Sequence, residues 1–147
     1  MSRAYPERPL CGVGVVVWRH HQVLLVRRGR PPRQGRWSLP GGLQELGETV
    51  FEAAAREVLE ETGLTVAVTE LIDVVDLIER DGDGRVRYHY TLPDVTAEWR
   101  SGEVVAGDDV THAEWFTLDS MPTPELWSET VRIVKLSAER RQRRGSK

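Results

Sequence analysis

The sequence predicts an α/β fold on three observations: short β-branched runs near the N-terminus, two stretches with helical spacing of apolar residues, and a long apolar segment folded back at a tight-turn signal. A chain of 147 residues is expected to form one domain, 1–147, large enough to bury a core, where two domains would each be marginal.

Cys11 to Trp18 (Cys-Gly-Val-Gly-Val-Val-Val-Trp) is short and rich in β-branched residues, so a strand buried on at least one face is expected. The polar Arg19 to Gln22 is turn-sized, and Val23 to Val26 reads as a second strand antiparallel to the first. Gly29 to Gly35 is a loop by its prolines and glycines, and Trp37 to Leu39 leads into the turn Pro40-Gly41-Gly42. From Thr49 the spacing becomes helical. Thr49 and Glu52 stand at capping-box spacing and Gly63 supplies a stop, which places a helix over about 49–62. Thr65 to Glu79 and Arg85 to Ala97 form a hairpin around Asp81-Gly82-Asp83-Gly84. An acidic loop from Gly102 to Asp109 is followed by a short strand, Ala113 to Thr117, and an amphipathic helix from Glu125 to about Arg141.

Charged residues make up 29% and the hydrophobic set 39%, a composition that builds a core rather than a disordered chain. The net charge of −3 argues against a sequence-independent DNA coat, and the basic tail from Arg140 reads as a solvated helix end, so no nucleic-acid partner is expected. No run approaches the roughly 20 apolar residues that span a bilayer, and Met1 to Pro9 is too polar for a signal peptide. No membrane partner and a cytoplasmic location are therefore expected. Cys11, the single cysteine, cannot form an internal disulfide, and its apolar setting reads as a buried thiol in a reducing compartment. His20 and His21, adjacent in a turn, read as solvent-facing rather than as metal ligands.

The net figure conceals a segregation of charge. Residues 19–36 carry six arginines and no acid, whereas residues 41–64 carry six glutamates against Arg56 alone. At about 100° per residue, Phe51, Ala54, Ala55, Val58 and Thr62 fall on one helical arc, expected to pack on the sheet, and Glu57, Glu60 and Glu61 share a neighbouring arc of about 100°. Like charges at this spacing repel, and they sit on the negative end of the helix dipole. One reading is an exposed acidic face screened by salt; the other is a hard divalent cation, for which carboxylates select Mg²⁺ or Mn²⁺. Gly41 and Gly42 allow a sharp turn just ahead of the helix and offer a backbone carbonyl to the same ion. Glu48 can pair with Arg56, and the arginine segment can bind several negative oxygens. Metal, acids and arginines together point to phosphate chemistry.

Gly42, five residues, Glu48, seven residues, then Arg56-Glu57-Val58-Leu59-Glu60-Glu61-Thr62-Gly63-Leu64 resembles the Nudix box at every specified position, and the flanking strand order is similar to the Nudix fold over most of the chain. The resemblance implies an α/β/α sandwich around a mixed sheet, the box forming a loop-helix-loop, and hydrolysis of a nucleoside diphosphate linked to another moiety. It also implies that Glu57, Glu60 and Glu61 are metal ligands, joined by a carbonyl from the Gly41 or Gly42 region. Glu48 resembles the first glutamate of the box, a structural partner of Arg56 or a water-mediated ligand. Many members add an acid from a later loop as ligand or general base; Asp109 is the candidate, with Asp108, Glu103 and Glu114 as rivals.

On this reading two or three Mg²⁺ ions, or Mn²⁺, neutralise a pyrophosphate and lower the pKa of a bound water aligned for in-line attack. Proton removal falls to Glu57, Glu60 or Asp109, on a helix braced by Arg56. Arg27, Arg28, Arg30 and Arg33 either clamp the phosphates or are ordinary surface charge. Trp37, Tyr88 and Tyr90, with Trp18, either stack on a base or sugar or pack in the core, and Trp115 and Trp127 read as core and helix-packing residues.

The expected partner is a small-molecule nucleotide. The entry into the box from Arg27 and the Tyr88-His89-Tyr90 strand look like Nudix members that act on ADP-ribose, although Glu79 and Arg80 stand where a proline marks many of them. ADP-ribose or a similar nucleotide sugar therefore leads. A (d)NTP cleaved to a monophosphate and pyrophosphate is the alternative, and a non-catalytic nucleotide sensor is disfavoured by the intact box. A homodimer is compatible with valines on an exposed face of Val13 to Trp18.

Overall fold

The computed structural model describes residues 3–31, 33–107 and 110–145. In chain order its elements are β1 (Leu10–Arg19), β2 (Gln22–Arg28), β3 (Trp37–Ser38), β4 (Gly41–Leu43), α1 (Val50–Thr62), β5 (Thr65–Arg80), β6 (Val86–Ser101), β7 (Val110–Phe116) and α2 (Ser128–Gly145). β1 runs parallel to β6, which pairs antiparallel with β5. The other edge of β1 is divided. Trp18 and Arg19 pair with the start of β2, whereas Gly12, Val13 and Gly14 pair with β4. β2 veers away after that first contact and takes β3 and β7 as its own partners. The fork between β1 with β4 and the far end of β2 is the feature that shapes the site.

The two faces of the sheet follow from strand alternation. Val13, Val15 and Val17 of β1 meet Ala53, Ala54 and Val58 of α1, joined by Leu24, Val95 and Ala97. Val16 and Trp18 point the other way, against Ile133 and Val134 of α2, with Ile72 and Val75 of β5. The result is the expected α/β/α sandwich around a mixed sheet. On the α2 side a small polar network fixes the helix: the Trp18 indole donates to Ser137 Oγ at 3.0 Å, and Ser137 exchanges a 2.6 Å hydrogen bond with Thr96. Arg141 adds a two-nitrogen grip on Glu98.

α1 begins and ends where its sequence signals stand. Thr49 accepts from the Glu52 amide while Glu52 accepts from the Thr49 amide, a reciprocal cap of the kind that contributes about 1 kcal/mol. Gly63 adopts φ 77° and donates to the Leu59 carbonyl, a left-handed stop that disfavours any side chain.

Four expectations are corrected. Cys11 is exposed: it shares the parity of Val13 but lies beyond the cluster that α1 covers. Val13, Val15, Val16 and Val17 are all buried inside the protomer, so they present no exposed face to a second copy. Phe51 is 41% exposed, because the buried stripe of α1 runs through Ala53, Ala54, Val58, Glu61 and Thr62. The last helix starts at Ser128 rather than Glu125, since Leu118–Ser120 and Thr123–Glu125 form separate 3₁₀ turns held by Thr117 and the prolines. Among the described residues no helix is long and apolar enough to cross a membrane.

Candidate active site

The fork in the sheet opens into a cavity of about 280 Å³. Its floor is glycine from two strands, Gly12 and Gly14 of β1 and Gly41 and Gly42 of β4, and each wall has its own chemistry. The α1 wall carries Glu57, Glu60, Glu61 and Arg56. Arg28, Arg30, Arg33 and Arg36, from the end of β2 and the loop after it, line the same cavity.

Arg56 organises the acidic wall. Nε and one terminal nitrogen of its guanidinium hold the Glu48 carboxylate, the latter at 2.9 Å; that nitrogen also donates to the Leu43 carbonyl at 3.0 Å. Its other terminal nitrogen donates to Glu57 at 2.8 Å and to Glu60 at 3.1 Å. The loop carrying β4 is thereby tied to the helix that follows it. The hydrogen bonds from Arg56 hold the Glu48 carboxyl below the usual carboxylate range, and Glu48 in turn raises the guanidinium. Glu57 is shifted the other way: burial pushes its carboxyl up, and the Arg56 hydrogen bond opposes that only in part.

Glycine at 41 and 42 is required by close approach. A Cβ on Gly41 would collide with the Val13 carbonyl, and one on Gly42 would stand 2.5 Å from Glu57 Oε2. Glu61, 9% exposed, turns inward and accepts the Gly41 amide at 2.8 Å. The helix end is closed by the following loop, in which Val105 donates to the Thr62 carbonyl and Gly107 to that of Glu61, both at 2.9 Å.

Among the described residues no three His, Cys, Asp or Glu side chains converge on a point that would hold an ion as they stand, since Arg56 engages Glu57 and Glu60 while Glu61 bonds to Gly41. The donor chemistry nonetheless fits a hard divalent cation. Three carboxylates lie within five residues of one helix beside a glycine turn, and the last turn of α1 holds no basic residue to offset them.

Of the residues expected to touch substrate, Arg28, Arg30, Arg33, Trp37 and Tyr90 reach the cavity. Arg27 and Tyr88 are not among its lining residues. Arg27 occupies the opposite face of β2 from Val26 and Arg28, with its guanidinium 4.9 Å from the centre of the Trp37 ring. Tyr88 packs two residues before Tyr90, against Leu77. Glu48 is the structural partner of Arg56, as one of its two readings had it. Asp109 and its rival Asp108 lie outside the described residues. Glu103 pairs with Arg19 and Glu114 with His112, and neither lines the cavity.

Sequence alone marks none of Arg3, Arg36, Asp94, Trp127, Glu129 and Thr130 as a site residue, yet all line the cavity. Arg36 stood in the arginine run, and Asp94 is a charged residue inside an otherwise apolar strand, so both carried a usable signal. Trp127, read as helix packing, sits at the rim with the Arg33 guanidinium 4.7 Å from its ring centre.

A family model described as NUDIX domain matches residues 9–136. A protein from Methanocaldococcus jannaschii named ADP-ribose pyrophosphatase is 40% identical over 127 residues, covering 86% of this chain and 72% of its own. The human 8-oxo-dGDP phosphatase NUDT18 is 31% identical over 92% of this chain, which spans only 41% of that protein. The crystal structure of a MutT NUDIX hydrolase from Burkholderia pseudomallei superposes with a TM-score of 0.76 at 33% identity, over 88% of this chain and 98% of its own. The chain belongs to the Nudix family of hydrolases, enzymes of phosphoric anhydrides.

Proposed function

We propose that this chain is a Mg²⁺-dependent pyrophosphohydrolase that cleaves ADP-ribose or a similar nucleotide sugar between its two phosphates. The observation that carries the reading is that carboxylates of α1 and arginines after β2 line one cavity. A diphosphate is an anion that binds cations, so it is complementary to both at once. The 40% identity to the archaeal ADP-ribose pyrophosphatase favours a sugar as the second substituent.

Glu57, Glu60 and Glu61, with a carbonyl of the Gly41 turn, would hold the metal. Bound Mg²⁺ supplies charge neutralisation and a water of lowered pKa. The chain's own residues do the rest. Arg28, Arg30, Arg33 and Arg36 grip non-bridging phosphate oxygens and fix the diphosphate across the cavity. Arg56 locks α1 against the β4 loop, so the carboxylates keep their height relative to the phosphates. Water attacks one phosphorus, the bridging P–O bond breaks toward the other phosphate, and the proton lost by the water passes to a carboxylate oxygen of Glu57 or Glu60. The products from ADP-ribose are AMP and ribose 5-phosphate.

Likeness to NUDT18, named for 8-oxo-dGDP, and to a zebrafish protein named oxidized purine nucleoside triphosphate hydrolase favours a second reading, hydrolysis of a nucleotide without a second sugar, such as a (d)NTP. Incubation with Mg²⁺ and a panel of ADP-ribose, other nucleotide sugars and (d)NTPs, with products resolved by chromatography, separates the two. AMP plus ribose 5-phosphate as the preferred products supports the first reading. A monophosphate plus pyrophosphate from (d)NTPs, with nucleotide sugars untouched, supports the second.

A further inference from the structure

Residues 3–9, ahead of β1, form neither helix nor strand, yet they are fastened to the tip of the β5–β6 hairpin. The Tyr5 amide donates to the Arg87 carbonyl at 2.7 Å and its hydroxyl to Asp81 Oδ2 at 2.8 Å. The Arg85 guanidinium lies 4.7 Å from the centre of the Tyr5 ring. Tyr5 holds φ 53°, in the left-handed region that a bulky side chain avoids. Its contacts with the hairpin offset that strain, and strained backbone held by its surroundings is concentrated in segments that position ligands.

The latch fixes what lies just before it. Ala4 packs against the cluster of Leu77, Tyr88 and Tyr90, and two of these, Leu77 and Tyr90, line the cavity with Arg3. Arg3 is half-buried there, and its guanidinium makes no hydrogen bond or ion pair with another described residue. Burial and the Arg56 hydrogen bond dominate the Glu57 carboxyl, but the charge of Arg3 also reaches it and favours its ionised form. The cation thus stands close to the acidic wall without being bound to it. Arg56 already donates to Glu57, so a second arginine is not needed as its partner. A divalent cation on that wall would repel Arg3, and an anion lying against both restores the balance. A guanidinium held at a cavity with its donors uncommitted suits the oxygens of a phosphate.

We propose that Arg3 is a substrate-gripping residue, held at the cavity by the Tyr5 latch, its guanidinium donating to a non-bridging oxygen of the diphosphate where that group meets the acidic wall. The inference rests on the pyrophosphohydrolase reading above. It adds a cation from outside the arginine run of residues 19–36, and it makes Tyr5 the residue that positions it.

The test is steady-state hydrolysis of ADP-ribose and of dGTP at saturating Mg²⁺ by wild type, Arg3→Gln, Arg3→Lys, Tyr5→Ala and the double variant Arg3→Gln with Tyr5→Ala. Calorimetric titration with Mg²⁺ alone is run beside it, and thermal melting establishes that the variants fold. For the substrate that wild type prefers, Arg3→Gln is expected to raise KM about 10-fold, with kcat and Mg²⁺ affinity within about threefold, and Arg3→Lys to recover part of the loss. Tyr5→Ala raises KM in the wild-type background but adds less than about twofold to Arg3→Gln, because the latch acts through Arg3. A Tyr5 that only staples the hairpin would cost the same factor in both backgrounds, which overturns the positioning role. If wild type turns over either substrate while Arg3→Gln keeps the wild-type KM, the inference is overturned and the functional reading stands. Tighter Mg²⁺ binding at unchanged KM would likewise overturn it, leaving Arg3 a mere counter-charge to α1. If wild type hydrolyses neither ADP-ribose nor a (d)NTP, both fall.

Discussion

The Glu57 carboxylate lies directly over Gly42, so close that a single added methyl group at residue 42 would stand 2.5 Å from Oε2. Helix and loop are thus fitted to each other through an absent side chain. Gly42→Ala should push Glu57 off its position while leaving the cap of α1 and its buried stripe untouched. A displacement of this size at a reacting centre costs on the order of 100-fold in kcat/KM. Steady-state kinetics beside a thermal melt checks this: a lower rate with a native melting temperature is expected, and wild-type kinetics would show that the contact is without consequence.

Arg56 satisfies Glu48 and Glu57 together, and both carboxylates are largely shielded from water. Arg56→Ala strands them, with an expected loss of about 2–4 kcal/mol in urea unfolding. Arg56→Lys recovers only part of it, because an ammonium cannot reproduce the fork that grips Glu48 while also reaching Glu57 and Leu43.

Asp94 gives the folded protein an unusual pH dependence. Its carboxyl releases a proton near 3.8 when unfolded and near 7 when folded. Between those values the folded state holds the extra proton, so this contribution is greatest below the lower value and is lost as pH rises through the upper one. The span corresponds to roughly 4 kcal/mol. Urea unfolding of wild type and Asp94→Asn across pH 4 to 8 should show a downward slope in wild type that is flattened in the variant, with the variant the more stable at pH 8.

Much of the fold was legible because its signals are local. The capping box at Thr49, the stop at Gly63 and the turn at Asp81 to Gly84 each act within a few residues, and each appears where the sequence placed it. The Glu48 and Arg56 pair was legible for the same reason, as a fixed spacing across one loop. What escaped depends on contacts distant in sequence. Cys11 and Val13 look alike in the strand, yet only the second lies beneath α1. Helical angle alone puts Phe51 on the sheet face, but the buried stripe of α1 runs through Ala53, Ala54 and Val58 to Glu61, which turns in to meet Gly41. The fork in the sheet is of the same kind: β4 takes the place of β2 beside β1, and this brings Asp94, Trp127 and Arg36 to the cavity that holds the glutamates.

If the acidic wall of α1 works through a divalent cation on a nucleoside diphosphate, Glu61→Gln removes that activity. A glutamine oxygen can still accept the Gly41 amide, so the fold is conserved while one negative charge of the acidic wall is lost. The measurement is AMP release from ADP-ribose by wild type and variant, with Mg²⁺ and again after EDTA. A fall of about 1,000-fold or more in kcat is expected for the variant at unchanged melting temperature, with only background release from wild type in EDTA. Wild-type turnover by Glu61→Gln, or undiminished release in EDTA, would contradict it.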